Sequence, residues 1–276
     1  MRLLFTFLFY ALINFSLSAQ YIDFSNARSI AISGASDASG IDYSGKSNPA
    51  GLVSYANLQF GLDYYNRFML SELGVQSVYT VVPALGGSFA GRIIYFGSKV
   101  FNESRFSVSY GHKISSWMTA GIDLNYHYFS IGVMNDNHSA VSGNFGIAFH
   151  PINDLTIGVL YQNPGNIHGS NDYRIKYPVC IAFGSTYNEA KKFLISCKLS
   201  WTDYQWIDIA LGTEVFLTEN LTVRAGIEIP SSMSYSFGAG FFLHNLNFDL
   251  GFEQHPVLGL SSAASITLQI TPHETK

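Results

Sequence analysis

Apolar and polar residues alternate along most of the chain, from residue 57 to residue 270, in runs of roughly ten residues separated by turn residues. Leu124 and Tyr126 fall on one face of such a run, while Asp123 and Asn125 fall on the other. A period of two is that of a β-strand whose two faces meet different surroundings. The pattern predicts fourteen strands, at 57–67, 72–82, 86–96, 104–113, 116–131, 138–149, 154–163, 176–187, 191–201, 205–217, 221–229, 233–243, 246–254 and 260–270.

Alternation alone fits either a soluble β-sandwich with an apolar core or a membrane β-barrel with its apolar face toward lipid. Two features favour the barrel. Connections after even-numbered strands are tight and those after odd-numbered strands are longer, which is typical of short periplasmic turns and longer external loops. Aromatic residues also gather at strand ends, where we expect them to form the interfacial girdles: Tyr64, Tyr65, Phe68, Trp117, Tyr128, Phe129, Tyr161, Tyr187, Trp201, Tyr204 and Trp206.

The composition supports a membrane location. Charged residues make up 12% of the chain and aromatic residues 15%, whereas soluble domains carry about 25% charged residues. No stretch after the N-terminal run is apolar for the about 18 residues that a membrane helix requires, which leaves a closed barrel as the membrane-spanning structure. The net charge of −4, without a basic stripe, gives no reason to expect nucleic acid as a partner.

The first residues predict export. Met1-Arg2 precedes an apolar run at 3–13, and small residues follow up to Ala19, as in a cleaved signal peptide. We therefore expect the protein in the outer membrane of a Gram-negative bacterium. The predicted organisation is a signal peptide at 1–19, an N-terminal plug or lumenal segment at 20–56, a transmembrane antiparallel β-barrel at 57–271 and a C-terminal tail at 272–276.

The stretch before the first strand, 22–56, is rich in Ser, Gly, Ala and Asn and shows little alternation. It fits a flexible linker or a plug packed inside the barrel. Within it, Asn48 can cap a turn, Pro49 fixes the next φ, and Gly51, after Ala50, can take a left-handed conformation. We expect this compact turn at the barrel mouth, where it fixes the exit of the segment; an ordinary exposed turn is the alternative.

Charged residues occupy inward positions of consecutive strands and predict a lumenal band on one wall: Lys198, Glu214, Arg224, Glu228, Asp249 and Glu253. The band fits a ligand or ion path, or a salt-bridge network that fills a narrow lumen. We favour the network, because unpaired charges in a confined space are costly.

Catalytic, metal-binding and cofactor-binding motifs are absent from the sequence, so we expect no enzyme, no metal site and no cofactor. The two cysteines do not predict a disulfide. Cys180 shares its face with the inward Ala182, while Cys197 shares its face with the outward Ile195, and side chains on opposite faces of a sheet do not meet.

Several short motifs resemble those of the PorV/PorQ outer-membrane family, which belongs with the FadL-like fatty-acid transporters. They lie at 27–35, 42–44 and 48–52, and later at 163–165, 211–214, 221–226, 237–240 and 258–259. The resemblance implies a fourteen-stranded barrel with an N-terminal lumenal segment. For the members it resembles most, it implies a role beside the type IX secretion machinery.

Three functions follow as hypotheses. The first, suggested by the resemblance and the short loops, is an accessory subunit of an outer-membrane export complex, with other outer-membrane or secretion-complex proteins and lipid as partners. The alternative is a FadL-like transporter with a hydrophobic small molecule as ligand; the mostly polar lumenal faces argue mildly against its apolar pocket. A general diffusion pore is disfavoured if 22–56 fills the lumen.

Overall fold

The computed structural model describes residues 24–98, 100–132, 136–165, 167–168, 177–189, 192–203, 205–229 and 233–270. The predicted signal peptide at 1–19 and the predicted tail at 272–276 lie outside the described residues, as do Tyr204 and the side chain of Trp206.

Fourteen long antiparallel strands and a two-residue strand, β8, follow the N-terminal segment in the described chain. Their bounds are β1 Leu58–Asn66, β2 Gly74–Ala84, β3 Gly87–Gly97, β4 Phe101–Ser115, β5 Met118–Ile131, β6 Asp136–Ile152, β7 Leu155–Gln162, β8 Ile167–His168, β9 Cys180–Glu189, β10 Phe193–Thr202, β11 Gln205–Phe216, β12 Leu221–Ile229, β13 Ser234–Leu243, β14 Leu246–His255 and β15 Gly259–Ile270. The fourteen predicted strands are confirmed, with ends shifted by a few residues. Two residues are too few to show alternation, which is why β8 was not predicted.

The sheet closes on itself. Each long strand pairs with the strands before and after it, and β1 pairs with both β2 and β15. Leu62 of β1 stands opposite Val78 on one side and Ile266 on the other. β8 pairs with β6 beside the ring. We call the end with the tight turns, such as Leu85-Gly86, the turn end, and the opposite end, where β7 ends at Gln162 and β9 begins at Cys180, the loop end.

The distribution of apolar and polar side chains in the barrel is the reverse of that in a soluble protein. On β5, Ile122, Leu124 and Tyr126 are exposed on the outer face, while Asn125 and His127 are buried on the inner face. Such a distribution places apolar side chains against lipid and polar ones in the lumen. The predicted fold, a transmembrane antiparallel β-barrel, is confirmed.

The outward face of β12 follows the same pattern, with Val223 exposed and Ile227 half-buried, while Arg224 is buried on the inner face. Both cysteines are free thiols on adjacent strands; Cys180 pairs in register with Thr202, and Cys197 with Ser185. Among the residues with described positions, no helix is both long enough and apolar enough to cross a membrane.

Two of the predicted girdle residues face the lumen instead. Tyr65 and Phe129 are each 5% exposed, whereas their neighbours Tyr64 and Tyr128 point outward. The prediction for Tyr65 and Phe129 was wrong because it used position at a strand end and not the alternation, which puts successive side chains on opposite faces. The other described girdle residues are exposed or half-buried: Tyr64, Phe68, Trp117, Tyr128, Tyr161, Tyr187 and Trp201.

Candidate functional site: the barrel lumen

The described N-terminal segment, residues 24–56, contacts two separate parts of the barrel wall from inside. Its short helix α1, Ala27–Ala31, lies against β12 to β15, and its 3-10 helix, Pro49–Ser54, lies against β3 to β6. The Asn26 side chain caps α1 by accepting a hydrogen bond from the Ser29 backbone N–H. The segment therefore extends through the lumen from one part of the wall to the other.

Glycines on the inner face of the wall let the segment approach the strand backbone directly. A Cβ built on any of them would lie closer to an atom of the segment than real Cβ atoms come to their neighbours. Nine glycines share this property: Gly111, Gly121, Gly146, Gly158, Gly184, Gly212, Gly226, Gly238 and Gly251. Many stand side by side, since Gly121 pairs in register with both Gly111 and Gly146. We call this set the glycine belt; it leaves no room for a side chain between wall and segment.

Asn48 joins the segment to two strands. Its Nδ2 donates to the carbonyl oxygens of Ile147 on β6 and Val159 on β7, each at 3.1 Å, and to Ala38 within the segment at 2.9 Å. Its Oδ1 accepts from the Ala50 backbone N–H at 2.9 Å, which caps the 3-10 helix. The side chain, 2% exposed, therefore satisfies its donors and acceptor inside the barrel.

The turn around Asn48 differs from the expectation at one residue. Pro49 begins the 3-10 helix, as its fixed φ favours, but Gly51 lies inside that helix and does not have a positive φ. Gly51 is required for a different reason, because a Cβ there would overlap the Gly40 carbonyl oxygen. Gly40 itself takes the left-handed conformation, with φ 74°.

Arg92, an inward residue of β3, is enclosed by aromatic rings. Its guanidinium carbon lies 4.5 Å from the ring centroids of both Tyr43 and Tyr79. Nη2 donates to the Tyr43 carbonyl oxygen at 2.6 Å, and Nη1 lies 3.4 Å from Asp63 Oδ2. Since Tyr43 belongs to the segment and the others to the wall, this cation–π cluster binds segment to wall. Sequence reasoning missed Arg92, although its inward register on β3 was a usable signal.

Three residues of the predicted charged band lie together. Glu214 Oε2 accepts from Arg224 Nε at 3.0 Å, and Arg224 Nη1 lies 2.6 Å from Asp249 Oδ1. The segment adds a fourth member that the sequence did not suggest, since Arg28 Nε donates to Glu214 Oε1 at 2.9 Å. Arg28 was missed because nothing in the sequence places α1 against β12 to β15.

The other three residues of the band lie nearer the loop end of the barrel: Lys198, Glu228 and Glu253. Lys198 acts on Asp37 of the segment; burial raises the pKa of Asp37, and the charge of Lys198 opposes that rise. Burial lowers the pKa of Lys46 to about 8, and the positive charge of Lys198 acts in the same direction. The negative charges of Glu228 and Glu253 act in the opposite direction. The band therefore consists of two groups, which interact with different residues of the segment. Its role as a structural network stays a prediction.

Aromatic residues line the inside of the loop end. The Phe101 ring centroid lies 6.4 Å from that of Phe96 and 6.5 Å from that of Phe129, and Phe129 lies 6.2 Å from Tyr177. Phe96 packs in turn on an apolar cluster that includes Phe24 of the segment. Phe101 is 39% exposed, whereas Phe129 and Tyr177 are buried. We call this row of rings the aromatic vestibule. It extends from the exposed Phe101 at the mouth of the barrel to the buried Tyr177.

A polar network lies beneath the vestibule. His127 Nε2 is 3.0 Å from Ser142 Oγ, and His127 Nδ1 is 3.1 Å from Glu103 Oε1. Serine, histidine and carboxylate in this order form the triad of many hydrolases. Here Ser142 and His127 are buried, and the Tyr177 ring lies against the imidazole. We interpret the network as a fixed part of the wall.

The middle of the lumen is polar. A small pocket between the segment and β3 to β5 is lined by Arg92, Ser107, Ser109 and Asp123 among others. In the part of the chain with described positions, no group of three or more His, Cys, Asp or Glu side chains is arranged to hold a metal ion.

A closed barrel with an apolar exterior, a polar interior and strands of membrane-spanning length is the architecture of outer-membrane β-barrel proteins. No protein-family model matches the sequence, and no curated protein matches it.

Solved structures with the same fold include hydrocarbon channels. The Pseudomonas putida toluene transporter TodX is 12% identical with a TM-score of 0.66, over 89% of this chain and 96% of TodX. The CymD monoaromatic hydrocarbon channel is 12% identical with a TM-score of 0.69, over 91% and 98%. A Pseudomonas aeruginosa FadL homologue is 12% identical with a TM-score of 0.64, over 90% and 98%.

At these identities the likeness shows a shared β-barrel fold and no more. It does not extend to the PorV/PorQ family in particular. TodX and CymD are described as a transporter and a channel, which is consistent with the expectation that this chain is not an enzyme.

Proposed function

We propose that the protein is an outer-membrane channel for small hydrophobic molecules, and that the N-terminal segment acts as a plug that closes its lumen to ions. The observation that carries the proposal is the aromatic vestibule, which offers a partly exposed apolar surface at the loop end of the lumen. The β-barrel fold, shared with the toluene transporter TodX, supports the same function.

The vestibule gives an apolar molecule a reason to enter. Burial of apolar surface contributes about 25 cal/mol for each Å² removed from water, and stacked rings add to this. Phe101 is partly exposed at the mouth and contacts the buried Phe129, so a molecule that enters beside Phe101 exchanges water for aromatic surface. Beyond this point the polar lumen and the segment block a straight path, so passage requires a side exit or movement of the segment.

Uptake by whole cells tests the proposal. Cells that carry the protein in their outer membrane should take up radiolabelled toluene faster than cells with an empty vector. The double variant Phe101→Ala/Phe129→Ala should lose most of this gain. Phe106→Ala, which removes an outward phenylalanine of the same strand β4, is the matched control and should keep it. Equal uptake with and without the protein would contradict the proposal.

The second candidate function is an accessory subunit of an outer-membrane export complex, as the PorV/PorQ resemblance implies. The observation that favours it is the close packing of the segment against the glycine belt, as expected of a plug. Purification in mild detergent followed by mass spectrometry tests this candidate. A secretion-complex protein recovered in stoichiometric amounts would support it, whereas recovery of the barrel alone would argue against it.

Export with cleavage after Ala19 is part of both candidates. Mass spectrometry of the protein from outer-membrane fractions should give a mature chain that begins at Gln20. A chain that retains Met1 in that fraction would contradict the cleavage.

A further inference from the structure

The Tyr177 ring occupies a position on the inner wall that resembles that of a bound ligand. Its centroid lies 4.1 Å from that of the His127 imidazole and 6.2 Å from that of Phe129, and its hydroxyl lies 3.5 Å from Glu103 Oε1. The ring is 2% exposed. A phenol is thus held between an imidazole ring inclined by 32° to its own plane and a carboxylate oxygen 3.5 Å from its hydroxyl.

The residues that receive this ring belong to paired strands. Glu103 lies on β4, His127 and Phe129 lie on β5, and the rings of His127 and Phe129 are parallel to within 8°. The Glu103 carboxylate accepts a hydrogen bond from one imidazole nitrogen, Nδ1, and Ser142 Oγ is hydrogen-bonded to the other, Nε2. The receiving surface is therefore fixed by wall residues and does not need Tyr177 for its shape.

Tyr177 comes from outside the strands, three residues before β9 begins at Cys180. The backbone after it is attached to neighbouring parts of the barrel. Asn163 Nδ2 donates to the Pro178 carbonyl oxygen at 3.0 Å, and the Val179 backbone N–H donates to Asp203 Oδ1 at 3.0 Å. These two bonds hold the backbone just after Tyr177, and neither of them involves the Tyr177 side chain.

We propose that Glu103, His127 and Phe129 form a binding site for small phenols, and that Tyr177 occupies this site in the absence of ligand. The proposal deepens the proposed channel function and rests on it for its place in transport. The ligand class follows from the occupant, since the tyrosine side chain is p-cresol joined to the backbone. Toluene has the same ring and methyl group but no hydroxyl, so it leaves the buried carboxylate without this donor.

Isothermal titration of the purified protein in detergent tests the site, with p-cresol and toluene as probes. Tyr177→Ala empties the position and should bind p-cresol at one site per chain. A hydrogen bond to a charged acceptor is worth about tenfold in affinity, so toluene should bind about tenfold more weakly. Tyr161→Ala, which removes an outward tyrosine of β7, is the matched control and should bind p-cresol no better than the wild type.

A milder variant keeps the test decisive if Tyr177→Ala does not fold, as judged by heat-modifiable gel mobility. Tyr177→Phe keeps the ring but loses the hydroxyl that faces Glu103, so the occupant is weakened and p-cresol should bind several-fold more tightly than to the wild type. The proposal is overturned if Tyr177→Ala binds toluene as well as p-cresol, or if p-cresol affinity is unchanged in Tyr177→Phe. Binding without uptake of toluene by cells would overturn the channel function and leave the site standing.

Discussion

Gly146 on β6 lies directly beneath the side chain of Asn48, so that a Cβ built on Gly146 would overlap Asn48 Oδ1. The same amide donates through Nδ2 to the carbonyl oxygen of Ile147, the next residue of the strand. Strand backbone and segment thus meet with no side chain between them. This relationship makes the position of the segment sensitive to a single methyl group on the wall.

Gly146→Ala should loosen the segment. The added methyl must displace Asn48, and overpacking of this kind costs about 1–3 kcal/mol. The midpoint of guanidinium unfolding, followed by tryptophan fluorescence, should fall, and protease should cut the segment faster in the folded protein. Gly91→Ala on β3 is the control, because a Cβ there meets only Thr80 Cγ2 at 4.0 Å. If both variants behave like the wild type, the close packing of Asn48 on β6 is not what holds the segment.

Arg92 should be the wall residue whose loss frees the middle of the segment. Arg92→Leu removes the cation between Tyr43 and Tyr79 and leaves the buried Asp63 without its partner, at a cost of roughly 3–5 kcal/mol. Arg92→Leu/Asp63→Leu should recover part of this stability, because no carboxylate is then buried alone. A double variant as unstable as Arg92→Leu would show that the ring contacts, and not the ion pair, supply the stability.

Arg224 should serve stability rather than transport. Arg224→Ala leaves Asp249 without its arginine and Glu214 with Arg28 alone, which costs roughly 3–5 kcal/mol if the lumen is dry and less if water screens the carboxylates. Lys192→Ala breaks the ion pair with Glu189 on the exposed surface and is the control, with an expected cost of about 0–1 kcal/mol. Unchanged stability of Arg224→Ala together with lost uptake of toluene would show that the charged band is a transport path.

Much of the wall was predictable because its strands follow a single period of two residues. In a membrane barrel each strand separates lipid from lumen, so alternation identifies the strand, its length and its faces at once. That is why Ile122 and Arg224 were assigned to the correct faces. Tyr65 and Phe129 were misassigned where the alternation was set aside in favour of a rule about strand ends.

The contents of the lumen were less predictable. The contacts between the segment and the wall depend on the three-dimensional course of the segment. No periodic pattern in the sequence reports that course. Asn48 was recognised because its capping bond is local, to Ala50 two residues later. Arg28 and Tyr177 were missed because their partners lie far along the chain; Arg28 and Glu214, for example, are 186 positions apart.

The intact protein should conduct ions poorly in planar lipid bilayers. The segment meets two separate parts of the wall, the glycine belt leaves no gap for side chains beneath it, and the clusters around Arg92 and Glu214 bind it at two further places. Deletion of 22–52 should raise the steady conductance, provided that the barrel still folds by heat-modifiable mobility. Gly146→Ala should produce brief openings, since it displaces the segment without removing it, and Gly91→Ala should not. Large and stable currents from the intact protein would refute the plug and would favour the general diffusion pore.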